Sequence, residues 1–287
     1  MMELTLFLKI YTCFAAAAAG LVMGSFLNCY AIRLVKGEPI ARGRSHCVEC
    51  GHTLSAADLV PLFSWLFLKG RCRYCGKKIS AEYPLSELIC AIIFVSFILK
   101  FGISIKLLEM LIVASITFCI AICDIKDYTI PDRLIIAGIL CRAVFVLFSG
   151  DMAKNALQSL IGGLSISLPL LVIVILMEKV LKKEAMGGGD IKLFFMTGLY
   201  FSWQVNLLSL ILACIAGICI GVGNLGAGTR RSLKPGDESP DKKPGAGGRT
   251  PEVKERRLIP FGPAIVCGFF MGALFGEQVI SAYLGMF

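Results

Sequence analysis

Residues 118–134 read FCIAICDIKDYTIPDRL. An apolar run ends, Asp124 follows at once, and a polar turn closes on Pro131 before a second apolar run begins. The run ending at Asp124 starts at residue 105 and holds about nineteen mostly apolar residues, close to the roughly 20 that a helix needs to cross a bilayer. Further runs occupy 4–32, 84–101, 133–150, 157–181, 191–203, 205–223 and 261–287, with 191–203 conspicuously short. Hydrophobic residues make up 56% of the 287, charged residues 17%, and mean hydropathy is +0.78. A soluble domain of this length needs far more polar surface. Only helices and closed barrels satisfy their backbone in lipid, and the alternating pattern of a barrel is absent. The sequence predicts an all-α integral membrane protein with about eight transmembrane helices.

The first run contains CFAAAAAG (13–20), which has the small residues of a signal-peptide cleavage region. The run continues through LVMGSFLNCYAI (21–32) with no polar break, so a retained first span is expected. Lys and Arg concentrate at 33–83 and 224–260, nine in each, with two more at 124–133 and three at 181–192. Those four segments hold 23 of the 29 basic residues, and eight spans place all of them on one side, the cytoplasm. The net charge of +9 is therefore mostly topological. Neither basic segment interleaves aromatics as a nucleic-acid surface does, so no nucleic-acid partner is expected; the expected environment is the bilayer of the inner membrane.

Three regions follow: a first helix at 1–33, a cytoplasmic insert at 34–83, and a transmembrane body at 84–287. The stretch at 228–257 is rich in Gly, Pro and both signs of charge and is expected to be a disordered loop.

The insert carries Cys47, Cys50, Cys72 and Cys75 as C-x2-C-x21-C-x2-C. Each pair precedes a glycine, which lets a tight turn aim both thiolates at one ion, and four thiolates suit tetrahedral Zn2+. Two disulfides are the alternative, disfavoured in a reducing cytoplasm; a redox pair is a third. With four protein ligands the metal has no open position, so its expected role is structural. The only histidines, His46 and His52, flank the first pair. The other nine cysteines lie in apolar runs and read as small hydrophobes.

A second carboxylate stands at a run's edge in EAMGGGDIKLFFMTG (184–198), where Gly187, Gly188 and Gly189 precede Asp190. Ionisable groups at the margin of a span are functional candidates. Asp124 and Asp190 at equal depth form a pair able to share a proton, one acid and one base, and so to activate water against a peptide carbonyl. The glycines let a substrate strand approach the backbone. Helix capping is the plainer alternative: Asp190 is an acceptable N-cap, and Asp127 and Asp132 sit in a turn with Pro131. A proton-coupled transporter also buries carboxylates, normally near the midplane; a scaffold that docks partners through the cysteine insert is a further alternative.

The blocks GSFLNCYAIRL (24–34), DLVPLFSWLFLKGRCRYCGKKISAEYPLSE (58–87), DIKDYTIPDRL (124–134), EAMGGGDIKL (184–193) and IPFGPAI (259–265) resemble, in order, those of the bacterial type IV prepilin peptidases, bifunctional GxGD intramembrane aspartic proteases and N-methyltransferases. The resemblance implies that Asp124 and Asp190 are catalytic. It further implies cleavage of the basic leader of prepilins or pseudopilins on the cytoplasmic side, then methylation of the new amino terminus from S-adenosylmethionine. The tetracysteine insert matches the bifunctional members; a peptidase without transferase activity is the nearest rival. The glycine fingerprint of a Rossmann-type donor site is absent. The expected donor site is the junction of first span and insert, around Gly24, Ser25, Asn28 and Glu82, with close helix packing as the alternative at the small residues.

Overall fold

The structure, a computed structural model, describes residues 2–39, 45–181, 187–226 and 260–285. The loop expected at 228–257 lies outside the described residues. Nine α-helices are present among the described residues: α1 (Met2–Lys36), α2 (Phe63–Phe67), α3 (Glu82–Phe101), α4 (Ile105–Asp127), α5 (Asp132–Leu147), α6 (Met152–Leu181), α7 (Gly188–Gly198), α8 (Trp203–Gly226) and α9 (Gly262–Leu284). The insert between α1 and α3 holds α2, a short 3-10 turn at Ala56–Leu59 and two isolated β-bridges.

Eight helices occupy the eight apolar runs. Six are long and apolar enough to cross a membrane: Phe7–Lys36, Glu82–Phe101, Ile105–Asp127, Met152–Val180, Trp203–Val222 and Gly262–Leu284. The other two are shorter. Helix α5 has 16 residues and α7 has 11, or about 24 and 16 Å at 1.5 Å per residue, against a hydrocarbon thickness of about 30 Å. Exposed Phe7, Phe14, Leu160, Val172, Ile218 and Phe275 coat the outside. Such a surface is untenable in water and ordinary in lipid.

Helix α4 is the axis of the bundle, packing on α1, α3, α5 and α9. Ser104 caps its start by accepting the Leu107 amide at 3.1 Å. Tyr128 ends it in the left-handed region at φ 55, its amide returning to the Asp124 carbonyl at 2.9 Å. Pro131 then prevents the helix from resuming before α5. The core gathers Phe97, Met110, Ile120, Leu193, Met196 and Phe269 from four helices.

Between apolar helices in lipid, association depends on close approach and internal polar ties. Both are visible. A Cβ on Gly268 of α9 would lie 2.3 Å from the Ser209 carbonyl oxygen of α8. A Cβ on Gly24 of α1 would lie 2.7 Å from Cα of Glu87 in α3. Asn206 donates to the carbonyls of Gly162 and Gly198 at 2.9 and 3.1 Å, joining α6, α7 and α8. Near the N-terminal end of α4, buried Glu109 accepts Arg142 of α5 at 2.6 Å and Lys106 at 2.8 Å. Arg142 also donates to Ser159 of α6 at 2.9 Å and lies over the Tyr200 ring at 5.7 Å. Tyr200 in turn donates to the Gly138 carbonyl of α5 at 2.7 Å.

Gly268→Leu forces α8 and α9 apart where they pack closely. Its expected cost is about 1–3 kcal/mol or more, read as a lower melting temperature in detergent; an unchanged value removes this contact from the account of how the bundle is held.

Candidate active site and metal centre

Asp124 stands one turn before the end of α4 and is buried, 5% exposed. Its Oδ2 accepts the Gly262 amide at 2.8 Å. Gly262 is the first residue of α9, so the carboxylate receives one of the unpaired amides at a helix N-terminus, the positive end of its dipole. Glycine leaves room for this bond: a Cβ on Gly262 would lie 2.8 Å from that same oxygen and crowd it.

Asp190 is the third residue of α7 and half-buried. The sequence reading put all three glycines ahead of the apolar run, with Asp190 as a possible cap. In the structure Gly188 and Gly189 form the first turn, and Gly187 is the capping residue, extended at φ −65 and ψ 129. Starting early draws Asp190 into the helix, away from the cap. The glycines serve different ends. A Cβ on Gly189 would stand 3.1 Å from Cβ of Ile130, so the turn packs on the 128–131 link, while Gly188 faces open space. Lys192 on α7 pairs with Asp132 on α5 at 2.7 Å, and Phe194 meets Phe261 at 6.5 Å.

The two aspartates lie at the same end of the bundle: Asp190 follows Gly189, which packs on Ile130 in the 128–131 link, and that link leaves α4 just after Asp124. Asp127 and Asp132 stay outside the pair; both are exposed, Asp127 accepting the Thr129 hydroxyl at 3.4 Å. The partner that sequence reasoning passed over is Gly262. IPFGPAI stood out as a block, but nothing local shows that its glycine amide reaches a residue 138 positions earlier.

In the insert the four cysteine sulfurs lie within 4.8 Å of one another. Cys47 and Cys75 are 3.9 Å apart, while a tetrahedron with metal–sulfur bonds of about 2.3 Å has edges of about 3.8 Å. Both loops are built alike. Cys47 and Cys72 accept the amides of Gly51 and Gly76 at 2.9 Å, and each glycine takes φ 70. The bridges His46–Thr53 and Arg71–Lys78 close the two loops. The amides of Cys50 and then Glu49 bring the Cys47 thiol down to about 7. The donor set fits one tetrahedral ion. His52 stacks on Tyr74 at 3.6 Å, across the two loops.

Asp58 fastens the insert together. It accepts the Ser55 hydroxyl at 2.6 Å, Arg73 at 2.7 Å and the Tyr74 hydroxyl at 3.1 Å. The insert is latched to the bundle by buried Glu87 of α3, which accepts the Leu62 amide at 2.6 Å. Leu62 is held at φ 63, unusual for a branched side chain.

The four residues expected around a methyl donor lie along the α1–α3 seam. Gly24 is filled by α3, and buried Asn28 donates to Ser86 at 3.1 Å. Ser25 is half-buried, and Glu82 is exposed and paired with Lys126 of α4. These contacts use Gly24 and Asn28 in helix packing.

Two family descriptions match the chain: the Bacterial Peptidase A24 N-terminal domain over residues 18–101, and the Type IV leader peptidase family over 110–222. A prepilin leader peptidase/N-methyltransferase of Bacillus subtilis is 30% identical over 267 residues, 93% of this chain and 96% of the relative. One of the same name from Myxococcus xanthus is 34% identical over 209 residues, 71% of this chain and 60% of the relative. A third, from Pseudomonas putida, is 26% identical over 291 residues, covering 93% and 92%. No solved structure matches the chain.

The hydroxyl of Ser55, with its amide, Tyr74 and Arg73, holds the Asp58 carboxyl near 2, below its usual 3.8. A depressed carboxylate contributes stability that is complete above the unfolded value and lost as pH falls through the folded one. In a Trp203→Phe background, Trp65 fluorescence reports the insert. Its denaturant midpoint is expected to fall between about pH 4 and pH 2. Asp58→Asn should start lower at neutral pH and stay flat across that window; a wild-type midpoint that is flat there removes Asp58 as the fastening.

Proposed function

Because the chain belongs to the type IV leader peptidase family, we propose that it cleaves the leader peptide of type IV prepilins or pseudopilins and N-methylates the new amino terminus. The observation that carries the proposal is the placement of Asp124 of α4 and Asp190 of α7 at one end of the bundle, linked through the Ile130–Gly189 contact, with the Gly262 amide on Asp124.

The chemistry follows from that arrangement. The ionised member of the pair takes a proton from water as the water oxygen attacks the scissile carbonyl. The protonated member delivers its proton towards the departing amine, and the pair ends, as it began, with one proton. The Gly262 amide fixes one Asp124 oxygen and leaves the other for this work. Half-buried Asp190 and open Gly187 and Gly188 leave a side from which an extended strand can approach. A substrate with a basic leader followed by an apolar helix arrives through the bilayer, with its cut site at the interface. The site faces the cytoplasm and the chain lies in the inner membrane, on the strength of the basic loops.

The regions divide the work: the helix at 1–33 and the insert at 34–83 serve the transferase, and the body at 84–287 is the peptidase. Cys47, Cys50, Cys72 and Cys75 hold a structural Zn2+, which ties the two loops of the insert when bound. S-adenosylmethionine supplies the methyl group. The seam of Gly24, Ser25, Asn28 and Glu82 holds α1 against α3 and α4 and so sets where the insert departs.

Intact-mass analysis of a co-reconstituted prepilin tests the whole reading. Wild type with S-adenosylmethionine should remove the leader and add one methyl. Asp124→Asn and Asp190→Asn should each lose cleavage by about 10³-fold or more while remaining folded. Cleavage that survives either change overturns the pair; cleavage without methylation leaves a peptidase alone.

Metal analysis of the purified chain should find zinc bound in the wild type and lost in Cys72→Ser, with the Trp65 signal altered and the transmembrane body still folded. Another metal, or zinc retained without Cys72, overturns the four-cysteine site.

A further inference from the structure

A cavity of about 360 Å³ lies between the C-terminal end of α1 and the link from α4 to α5. Ligand sites commonly enclose about 300–1,000 Å³. Leu34 and Val35 of α1 form one wall; Asp127, Thr129, Asp132 and Arg133 line the other. The first wall belongs to the matched N-terminal domain and the second to the peptidase family match, so the cavity exists only where the two regions meet.

Its place relative to the aspartates is set by the helices. Asp127 is three residues beyond Asp124 on α4, a rise of about 4.5 Å. The Cys123 thiol reaches the Ala31 carbonyl at 4.0 Å, which puts Leu34 and Val35, a turn further along α1, beside Asp127. The 128–131 link is wall to the cavity on one side and packs through Ile130 on Gly189, next to Asp190, on the other. Cavity and aspartate pair therefore share a wall, and an amine released at the pair emerges beside the cavity.

The chemistry of the lining is mixed in a specific way. Apolar Leu34 and Val35 offer a face to a flat heteroaromatic ring. Carboxylates of Asp127 and Asp132 accept from ribose hydroxyls, as an acidic residue does in dinucleotide sites, or pair with an ammonium or sulfonium cation. Arg133 pairs with a carboxylate. One small molecule combines a nucleoside, a sulfonium, an ammonium and a carboxylate: S-adenosylmethionine. The seam residues of α1 and α3 lack the space, since Gly24 is already in contact with α3.

Resting on the transferase reading above, we propose that this cavity is the methyl-donor site, with Asp127, Asp132 and Arg133 as its polar contacts and Leu34 and Val35 as its apolar face. The donor then sits between the two regions, so the newly cut amino terminus meets it without leaving the enzyme.

The test uses the full chain in detergent and has two arms. First, S-adenosylhomocysteine binding is measured by calorimetry on wild type, Val35→Trp and Arg133→Glu. Both variants should weaken binding by about tenfold or more, with melting temperature monitored to show that each is folded. Second, radiolabelled S-adenosylmethionine is photocrosslinked to wild type, which needs no variant, and the tryptic segments are mapped. Label is expected in 34–36 or 127–133, and cold S-adenosylhomocysteine should compete it away. Label in 10–33 or 79–100 overturns the proposal in favour of the α1–α3 seam while leaving the transferase reading intact. Label that is displaced by a basic leader peptide and not by S-adenosylhomocysteine makes the cavity a leader site. Absence of any donor binding to folded wild type overturns the transferase reading itself.

Discussion

One hydrogen bond, from the Gly262 amide to the Asp124 carboxylate, joins the end of α4 to the start of α9. Several features of the bundle become necessary once it is made. The carboxylate is buried where water is scarce, so it needs a donor, and a helix N-terminus has amides to spare. A side chain at residue 262 would crowd the carboxylate, its Cβ standing 2.8 Å from the bonded oxygen, so glycine suits this position. The start of α9 has to lie level with the last turn of α4, which fixes the packing of α9 on α4 and, through Gly268, on α8. A carboxylate can therefore be held at the end of a membrane bundle without being exposed to lipid.

The same two helices that carry the aspartates are tied again further down. Asp124 is near the C-terminal end of α4 and Glu109 near its N-terminal end. Asp190 is in the first turn of α7, and Tyr200 lies just beyond its last. Arg142 of α5 pairs with Glu109 and covers Tyr200, linking α4 to the end of α7. One end of these helices carries the two aspartates, and the other is joined by an attractive cation bridge. A buried pair of this kind contributes little net stability after desolvation, but it resists alternative packings because either partner alone is costly.

Most of this architecture was legible one residue at a time. Eight apolar runs became eight helices because a run without polar breaks has no other way to satisfy its backbone in lipid. The two CxxC–Gly turns were readable because the glycine lies next to its cysteines in the chain and only local geometry is involved. Asp124 and Asp190 stood out for the opposite reason, being charges where the solvent disfavours them. Glu109 and Arg142 carried the same signal, single opposite charges within apolar runs, and were overlooked because nothing in a one-dimensional pattern says that two spans touch.

What the sequence determined by itself was the membrane-spanning class, the eight apolar helical runs, four cysteines at metal-ligating spacing and two aspartates at the edges of apolar runs, all of which rest on composition or on neighbours within a few positions. The tertiary structure decided which contacts those residues make. It drew Gly188 and Gly189 into α7, used Gly24 and Asn28 to pack α1 on α3, brought Gly262 to Asp124, and left a cavity between Val35 and Arg133. Each of these depends on how helices distant in the chain lie against one another. That is set by side-chain volume and hydrogen-bond satisfaction summed over a whole interface, and no short stretch of sequence contains the sum.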